Sequence, residues 1–116
     1  MFITYLAVTV IAIVMNGAMA VADLARADFV LANSAAVRFP HSLVPLAGIL
    51  KGAAALGLVA GLAGWRPLGI AAALGLTLYF ALALIVHVRE RVFRNIAFPG
   101  AYFAVAVGAL ALAVVR

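Results

Sequence analysis

The sequence predicts an all-α fold, an integral membrane four-helix bundle with a short interfacial segment between the first and second helices. Hydrophobic residues make up 70% of the 116-residue chain, charged residues only 9%, and the mean hydropathy is +1.32. So few charges cannot give a soluble domain of this size a polar surface. Four apolar stretches are each close to the roughly 20 helical residues that cross a bilayer. We therefore expect residues 1–116 to form a single transmembrane domain, without room for a soluble catalytic one.

The first helix is predicted at about residues 2–22. The run from Ala18 to Ala20 resembles a signal-peptidase site, but no basic residue precedes the apolar segment. We therefore interpret this segment as a retained membrane helix. Asn16 lies inside the helix and Asp23 closes it.

The longest connection follows at residues 23–42. Charged and apolar residues alternate in it, a mixture typical of a short amphipathic helix that lies at the membrane interface. We expect this helix to end at Phe39 and Pro40, because a residue that precedes proline disfavours helical backbone.

The remaining helices are predicted at about residues 43–64, 67–88 and 96–115. Each of them has a proline in its first turn, where the missing N–H costs little: Pro45, Pro67 and Pro99.

The second of the four helices carries two glycine pairs spaced four residues apart, Gly48 with Gly52 and Gly57 with Gly61. Small residues at this spacing let two membrane helices approach closely. We expect them to seat the second helix against its own bundle rather than to form a dimer face.

Arginines are distributed unevenly between the two ends of the predicted bundle. The connections at 23–42 and 89–95 hold five, and the opposite end holds two: Arg26, Arg38, Arg89, Arg91 and Arg94 against Arg66 and Arg116. The positive-inside bias predicts that these two connections are cytoplasmic and that both termini are extracytoplasmic, in an inner (plasma) membrane. The formal net charge of +5 comes mainly from arginines at helix ends, where they meet anionic lipid. We therefore expect no nucleic-acid partner.

Two residue types limit the chemistry. The chain has no cysteine, which excludes disulfides and iron–sulfur clusters within it. Its two histidines are His41 in the long connection and His87 near the end of the third helix. This pair is a weak basis for a haem or metal site, and we expect no metal.

One ionisable residue, Lys51, lies near the middle of the second helix. A charge at such a depth costs at least about 2.5 kcal/mol, so residues of this kind usually have a function. Counted by helical rise from the cytoplasmic ends, Lys51 is about 12 Å deep, and Asn16, Tyr79 and Tyr102 fall in the same half of the bundle. This distribution predicts a pocket open to one side of the membrane rather than a pore.

Three interpretations of Lys51 stay open. It forms a structural ion pair with Asp23, or it faces a cavity and meets the anionic or carbonyl head of a lipophilic ligand, or it is a neutral amine with acid–base or covalent chemistry. Because Asp23 is expected at the membrane rim and Lys51 deeper, we expect only weak coupling between their side chains.

His87 and Arg89 follow at the mouth of the predicted pocket. His87 is either an interfacial residue or an acid–base group. Arg66 instead lies in an exposed turn beside Trp65, a position typical of a lipid anchor. We therefore expect substitution of Arg89 to reduce expression and ligand retention more than substitution of Arg66.

A series of short runs extends over nearly the whole chain: Asp23-Leu24, Pro40-x-Ser42-Leu43-x-Pro45-Leu46-x-Gly48-x-x-Lys51, Ala54-Ala55-Leu56-Gly57-Leu58, Pro67-Leu68-Gly69, Gly75-Leu76, Leu78-Tyr79-Phe80, His87-x-Arg89 and Ile96-x-Phe98-Pro99. In their order and spacing these runs resemble the DoxX-like family of small bacterial four-helix membrane proteins.

The resemblance implies a bacterial inner membrane and an association with membrane redox assemblies. The family is named after a subunit associated with a terminal quinol oxidase, and relatives occur with thiosulfate:quinone oxidoreductases. The resemblance carries over Asp23, Lys51, His87 and Arg89, where the family pattern has polar residues. Many wider relatives have an acidic residue near the position of Lys51, which implies a different charge preference for the ligand of this chain.

The preferred hypothesis is a polytopic inner-membrane protein that binds a lipophilic molecule, with a quinone as the candidate cofactor, in a redox or stress-related assembly. Its ligand-binding candidates are Lys51, Asn16, Tyr79, His87, Asp23 and Arg89. One alternative is a membrane-embedded enzyme of the isomerase or cyclase type, with Lys51 and His87 as catalytic groups; another is a structural or assembly subunit. The expected partners are the bilayer, the lipophilic molecule, another membrane redox subunit and further copies of the chain.

Overall fold

The computed structural model describes residues 2–93 and 96–115. Over these two ranges the chain forms five α-helices and no β-strand: α1 (Phe2–Leu24), α2 (Asp28–Ala36), α3 (Val44–Leu62), α4 (Arg66–Arg89) and α5 (Ala97–Val115). A single 3₁₀ turn at His41–Leu43 leads into α3. The predicted all-α fold is confirmed. Arg94 and Arg116, which contribute to the predicted charge asymmetry, lie outside the described residues.

The helices α1, α3, α4 and α5 are each long and apolar enough to cross a membrane, as predicted. Their outward faces carry large exposed apolar side chains, among them Ile3, Val14, Leu56, Leu78 and Leu82. A surface of this kind suits contact with lipid hydrocarbon rather than with water. The chain is therefore a multi-pass membrane protein.

Two helix ends differ from their predicted positions. α1 continues through Asp23 to Leu24, because the Asp23 side chain is buried against α3 rather than solvated. α2 ends at Ala36, before the predicted stop at Phe39, and Pro40 instead precedes the 3₁₀ turn.

The four long helices form an up-and-down bundle. α1 packs against α3 and α5, and α4 packs against the same two helices. The centre of the bundle consists mostly of alanines with a few larger apolar residues: Ala12, Leu58, Ala73, Leu76, Phe80, Ala106 and Ala109. Because alanine side chains are short, the helix backbones approach one another closely through much of the core.

Glycines allow the closest of these helix contacts. A Cβ at Gly48 would lie 2.8 Å from the Cβ of Asp23, so α3 fits against the end of α1 only because no side chain is present there. At the opposite end of α3, a Cβ on Gly61 would lie 2.7 Å from the Cα of Gly69 in α4. The glycine spacing thus seats α3 within its own bundle, as predicted.

Four helices, α1 to α4, end in the same capping motif. A residue with positive φ follows the helix, and backbone amides beyond the helix donate hydrogen bonds to the carbonyls of its last turn. After α3 this residue is Gly64, with a φ of 112°. After α1, α2 and α4 it is an arginine, with φ values of 53°, 61° and 56° for Arg26, Arg38 and Arg91. This conformation costs an L-residue on the order of 1 kcal/mol. A positive charge beside a helix C-terminus offsets part of that cost.

Arg66 joins the start of α4 to the end of α5. Its Nε donates a hydrogen bond to the carbonyl of Ala113 at 3.2 Å, and its Nη2 donates one to the carbonyl of Val114 at 2.6 Å. Carbonyls in the last turn of a helix have no partner inside the helix, so Arg66 caps α5. The sequence-based interpretation of Arg66 as a lipid anchor did not include this role.

Candidate functional site

A cavity of about 300 Å³ lies at the end of the bundle where α1 and α4 end and α3 and α5 begin. Each of the five helices contributes to its wall, and α2 lines it through Val30, Asn33 and Ser34. Val44, Ala47, Leu82 and Val86 are among its apolar lining residues. This end of the molecule also carries the arginine caps of α1, α2 and α4.

Lys51 and Asp23 form an ion pair in the wall of the cavity. The Lys51 Nζ donates a hydrogen bond to the Asp23 Oδ2 at 2.8 Å. Both side chains are buried, with exposed fractions of 7% for Lys51 and 2% for Asp23. Removing two charges from water costs several kcal/mol per ion, and their mutual attraction repays this only when the geometry is good.

The contact corrects the expectation of weak coupling between these two side chains. That expectation placed Asp23 at the membrane rim and Lys51 deeper in the bundle. In the structure α1 remains helical through Asp23, which turns the carboxylate inward, and Gly48 lets α3 approach it. The structural interpretation of Lys51 as an ion-pair partner is therefore correct, and Lys51 lines the cavity as well.

Aromatic rings surround the ammonium group. The Lys51 Nζ lies 5.1 Å from the ring centroid of Tyr79 and 5.9 Å from that of Phe80. Tyr102 continues this wall, since its ring is 5.2 Å from Phe80 and stacks on Phe98 at 5.3 Å. Ammonium groups are attracted to ring faces at such distances. The cavity therefore combines one buried ion pair with five aromatic side chains, because Phe39 also lines it.

Two further polar side chains in the wall are oriented by backbone carbonyls. The Tyr102 hydroxyl donates to the carbonyl of Met15 in α1 at 3.1 Å. The His87 Nδ1 lies 2.8 Å from the carbonyl of Ala83, one turn earlier in α4. Because a carbonyl only accepts, Nδ1 carries the proton in this contact. In the neutral ring Nε2 is then the atom that can accept a hydrogen bond.

Four of the six ligand-binding residues predicted from sequence line the cavity: Lys51, Asp23, Tyr79 and His87. Asn16 does not. Its side chain is buried in α1, where Nδ2 donates to the carbonyl of Ala12 at 2.9 Å. Its Oδ1 is buried with no hydrogen-bond partner among the described residues. Arg89, at the end of α4, is exposed and is not among the lining residues.

Sequence reasoning did not select Phe98 or the α2 residues Asn33 and Ser34. Phe98 and Tyr102 are four residues apart and so share a face of α5, a periodicity that was available in the sequence. The contribution of α2 was not available, because which face of a short surface helix turns inward depends on the turns at its ends.

The wall of the cavity supplies few metal ligands. Among residues 2–93 and 96–115, no three histidine, cysteine, aspartate or glutamate side chains are grouped so that they could hold a metal ion. The polar groups present are hydrogen-bond donors and acceptors for an organic molecule, namely an ammonium, a carboxylate, an imidazole, a carboxamide and hydroxyls.

Comparison with models of known protein families assigns most of the chain to a family. A model described as the DoxX-like family matches residues 7–109, a range that contains all of α2, α3 and α4 and most of α1 and α5. No curated protein and no solved structure matches the chain significantly.

Proposed function

This chain belongs to the DoxX-like family, and we propose that it binds the head group of a lipophilic molecule in the cavity beside Lys51. The class of molecule that suits the cavity best is a quinone. The observation that carries the proposal is a buried Lys51–Asp23 pair in the wall of an otherwise apolar, aromatic cavity within a membrane bundle. An ion pair with a structural role alone needs no cavity beside it.

The size and lining of the cavity support a ring-shaped head group. Its volume of about 300 Å³ is at the lower limit of the volumes typical of ligand pockets. Phe80 and Phe98 provide apolar ring surface, and planar rings pack favourably against aromatic side chains. A whole long-chain lipid would exceed this volume, whereas a single ring with small substituents is suited to it.

The ion pair can bind the oxygens of such a ring. An ammonium has three N–H donors, and Asp23 accepts one of them, so Lys51 retains donors for a carbonyl oxygen. A carboxylate has two oxygens, so Asp23 retains acceptor capacity for a hydroxyl. The pair therefore suits both a quinone carbonyl and the hydroxyl of the reduced quinol. Because its two charges compensate each other, it favours a neutral head group over an anionic one.

We further propose that the protein serves as a membrane component of a redox or stress-related assembly in a bacterial inner membrane. The support is the resemblance to quinone-linked DoxX-like proteins together with a cavity suited to a quinone head. The enzymatic alternative, an isomerase or cyclase, would use the same cavity with Lys51 and His87 as acid–base groups. Turnover of a lipophilic substrate by the purified chain, abolished in Lys51→Ala, would favour that alternative.

A binding titration tests the proposed function. Purified protein in nanodiscs is titrated calorimetrically with decylubiquinone, and wild type is compared with Ala83→Phe, which adds a bulky ring to the cavity lining and leaves both residues of the ion pair in the sequence. Ala101→Phe, on the exposed face of α5, is the matched control. We expect Ala83→Phe to bind at least about tenfold more weakly and the control to bind like wild type. Equal affinities for all three proteins would contradict the proposal.

A further inference from the structure

A second hollow lies on the outer side of α3 and α4. It is a groove of about 430 Å³ whose lining is almost entirely apolar. Its floor consists of small residues such as Ala54, Gly57 and Ala72, and a Cβ at Gly57 would lie only 2.8 Å from the Cβ of Ala72. Leu50 and Leu68 on its margins are exposed, so the groove opens to the surroundings of the bundle.

The groove adjoins the cavity beside Lys51 and Asp23. Lys51 and Tyr79 line both hollows, so these two side chains lie between the groove and the cavity. From Tyr79 the groove continues along α4 to Leu68. By helical rise this is a distance of about 16 Å, directed away from the cavity end of the bundle and into the membrane-spanning part.

The position and chemistry of the groove suit a hydrocarbon chain. It lies on helices that are long and apolar enough to cross a membrane, and apart from Lys51 and Tyr79 its lining has no polar side chain. Bulk lipid gains little by entering such a groove, because the surrounding hydrocarbon is equally apolar. A chain attached to a bound head group is different, since it is held beside the groove at high effective concentration.

We propose that the groove between α3 and α4 receives the hydrocarbon tail of the molecule whose head group occupies the cavity. The inference rests on the proposed function and narrows its ligand to one with a ring head and a long apolar tail. In this arrangement Lys51 and Tyr79 lie where the head joins the tail.

The test compares two probes that share one head group. The tailless dimethoxy-methyl-benzoquinone and decylubiquinone, which adds a decyl chain to that head, are titrated into wild type, Gly75→Leu and Gly17→Leu. Gly75 lines the groove, and a Cβ there meets no atom within 4 Å, so a leucine fills the groove without straining the helix contact. Gly17 in α1 has the same open surroundings but lines neither hollow, which makes it the matched control.

We expect the affinity advantage of the tailed probe to fall at least about fivefold in Gly75→Leu and to stay unchanged in Gly17→Leu. The tailless probe should bind all three proteins equally. Partitioning of the probes into the nanodisc is common to all variants and cancels in this comparison.

The outcomes separate the two proposals. If both probes bind but Gly75→Leu keeps the full advantage of the tail, the groove proposal is wrong and the proposed function stands. If neither probe binds wild type, the proposed function fails and the groove proposal fails with it. A changed oligomeric state in Gly75→Leu with an unchanged tail advantage would assign the groove to contact between copies of the chain.

Discussion

The Lys51–Asp23 contact combines a structural role with the ligand-binding role that we propose for the same two side chains. The pair links α1 to α3, and it is also the most polar part of the cavity wall. A buried pair of this kind is weak evidence for stability by itself, because desolvation opposes the Coulomb attraction. Its strong effect appears when one partner is removed and the other charge remains buried.

A double-mutant cycle measures this coupling. We expect Lys51→Met and Asp23→Leu each to lower the unfolding free energy by about 3–5 kcal/mol, and the double variant to recover most of the loss. The measurement is thermal unfolding of ligand-stripped protein in detergent, converted to free energies through the cycle. Additive effects of the two substitutions would mean that the contact is not formed.

The Lys51–Asp23 contact also depends on Gly48. Gly48→Ala places a methyl group 2.8 Å from the Cβ of Asp23 and 3.0 Å from the carbonyl oxygen of Ala20. Separating α1 from α3 to accommodate it should cost about 1–3 kcal/mol. Gly17→Ala meets open space and should be neutral or slightly stabilising, since alanine favours helix. Thermal unfolding of the two variants side by side checks this, and equal melting temperatures would contradict the close contact.

At the scale of the helices, α2 contacts the start of α5 and the segment after α4, beside the cavity. α2 reaches α5 through Phe29, whose ring lies 6.4 Å from that of Phe98. Arg38, the residue with positive φ after α2, forms an ion pair with Glu90 beyond the end of α4. Its Nε lies 3.2 Å from the Glu90 Oε1. These contacts hold the short helix over the cavity end. The Arg38 side chain is largely exposed, so this ion pair contributes little stability on its own.

The sequence predicted the helices better than it predicted their contacts. The four crossings follow from apolar runs of fixed length, and the three prolines mark first turns correctly. The pairing of Asp23 with Lys51 depends on the rotation of α1 and on how closely Gly48 lets α3 approach, and neither quantity can be counted along the chain. Helical rise gives the depth of a residue in the membrane but not the side of the helix on which its side chain lies. For this reason the sequence grouped Asn16 with a cavity that it does not line.

The sequence predicted a larger effect for substitution of Arg89 than of Arg66. Because Arg66 caps α5, we expect the opposite order for stability. Arg66→Gln loses two hydrogen bonds to the last turn of α5 and should lower the unfolding free energy by about 1–3 kcal/mol. Arg89→Gln should change it by less than about 0.5 kcal/mol, because the exposed Arg89 side chain makes no hydrogen bond or ion pair with the described residues. Melting temperatures of the two variants in the same detergent decide the order. A larger loss for Arg89→Gln would mean that the Arg66 cap does not stabilise the protein.

For the whole molecule, the distribution of the arginines predicts an orientation in the membrane. Within the described residues, Arg26, Arg38, Arg89 and Arg91 lie at the cavity end, and Arg66 lies at the other. The positive-inside bias then predicts that the cavity faces the cytoplasm. The chain has no cysteine, so single cysteines can report each side. Ala36→Cys should react with a membrane-impermeant maleimide only after cell lysis, and Ala63→Cys should react in intact cells; the opposite pattern would invert the topology.

We propose that the cavity beside Lys51 and Asp23 holds the head of a lipophilic molecule. The most direct measurement is mass spectrometry of the small molecules that co-purify with three proteins: wild type, Ala83→Phe, and the charge-free double variant Lys51→Met with Asp23→Leu. We expect one lipophilic, ring-headed molecule to be retained by wild type and depleted from both variants, although both variants fold. Retention of the same molecules by all three folded proteins would contradict it.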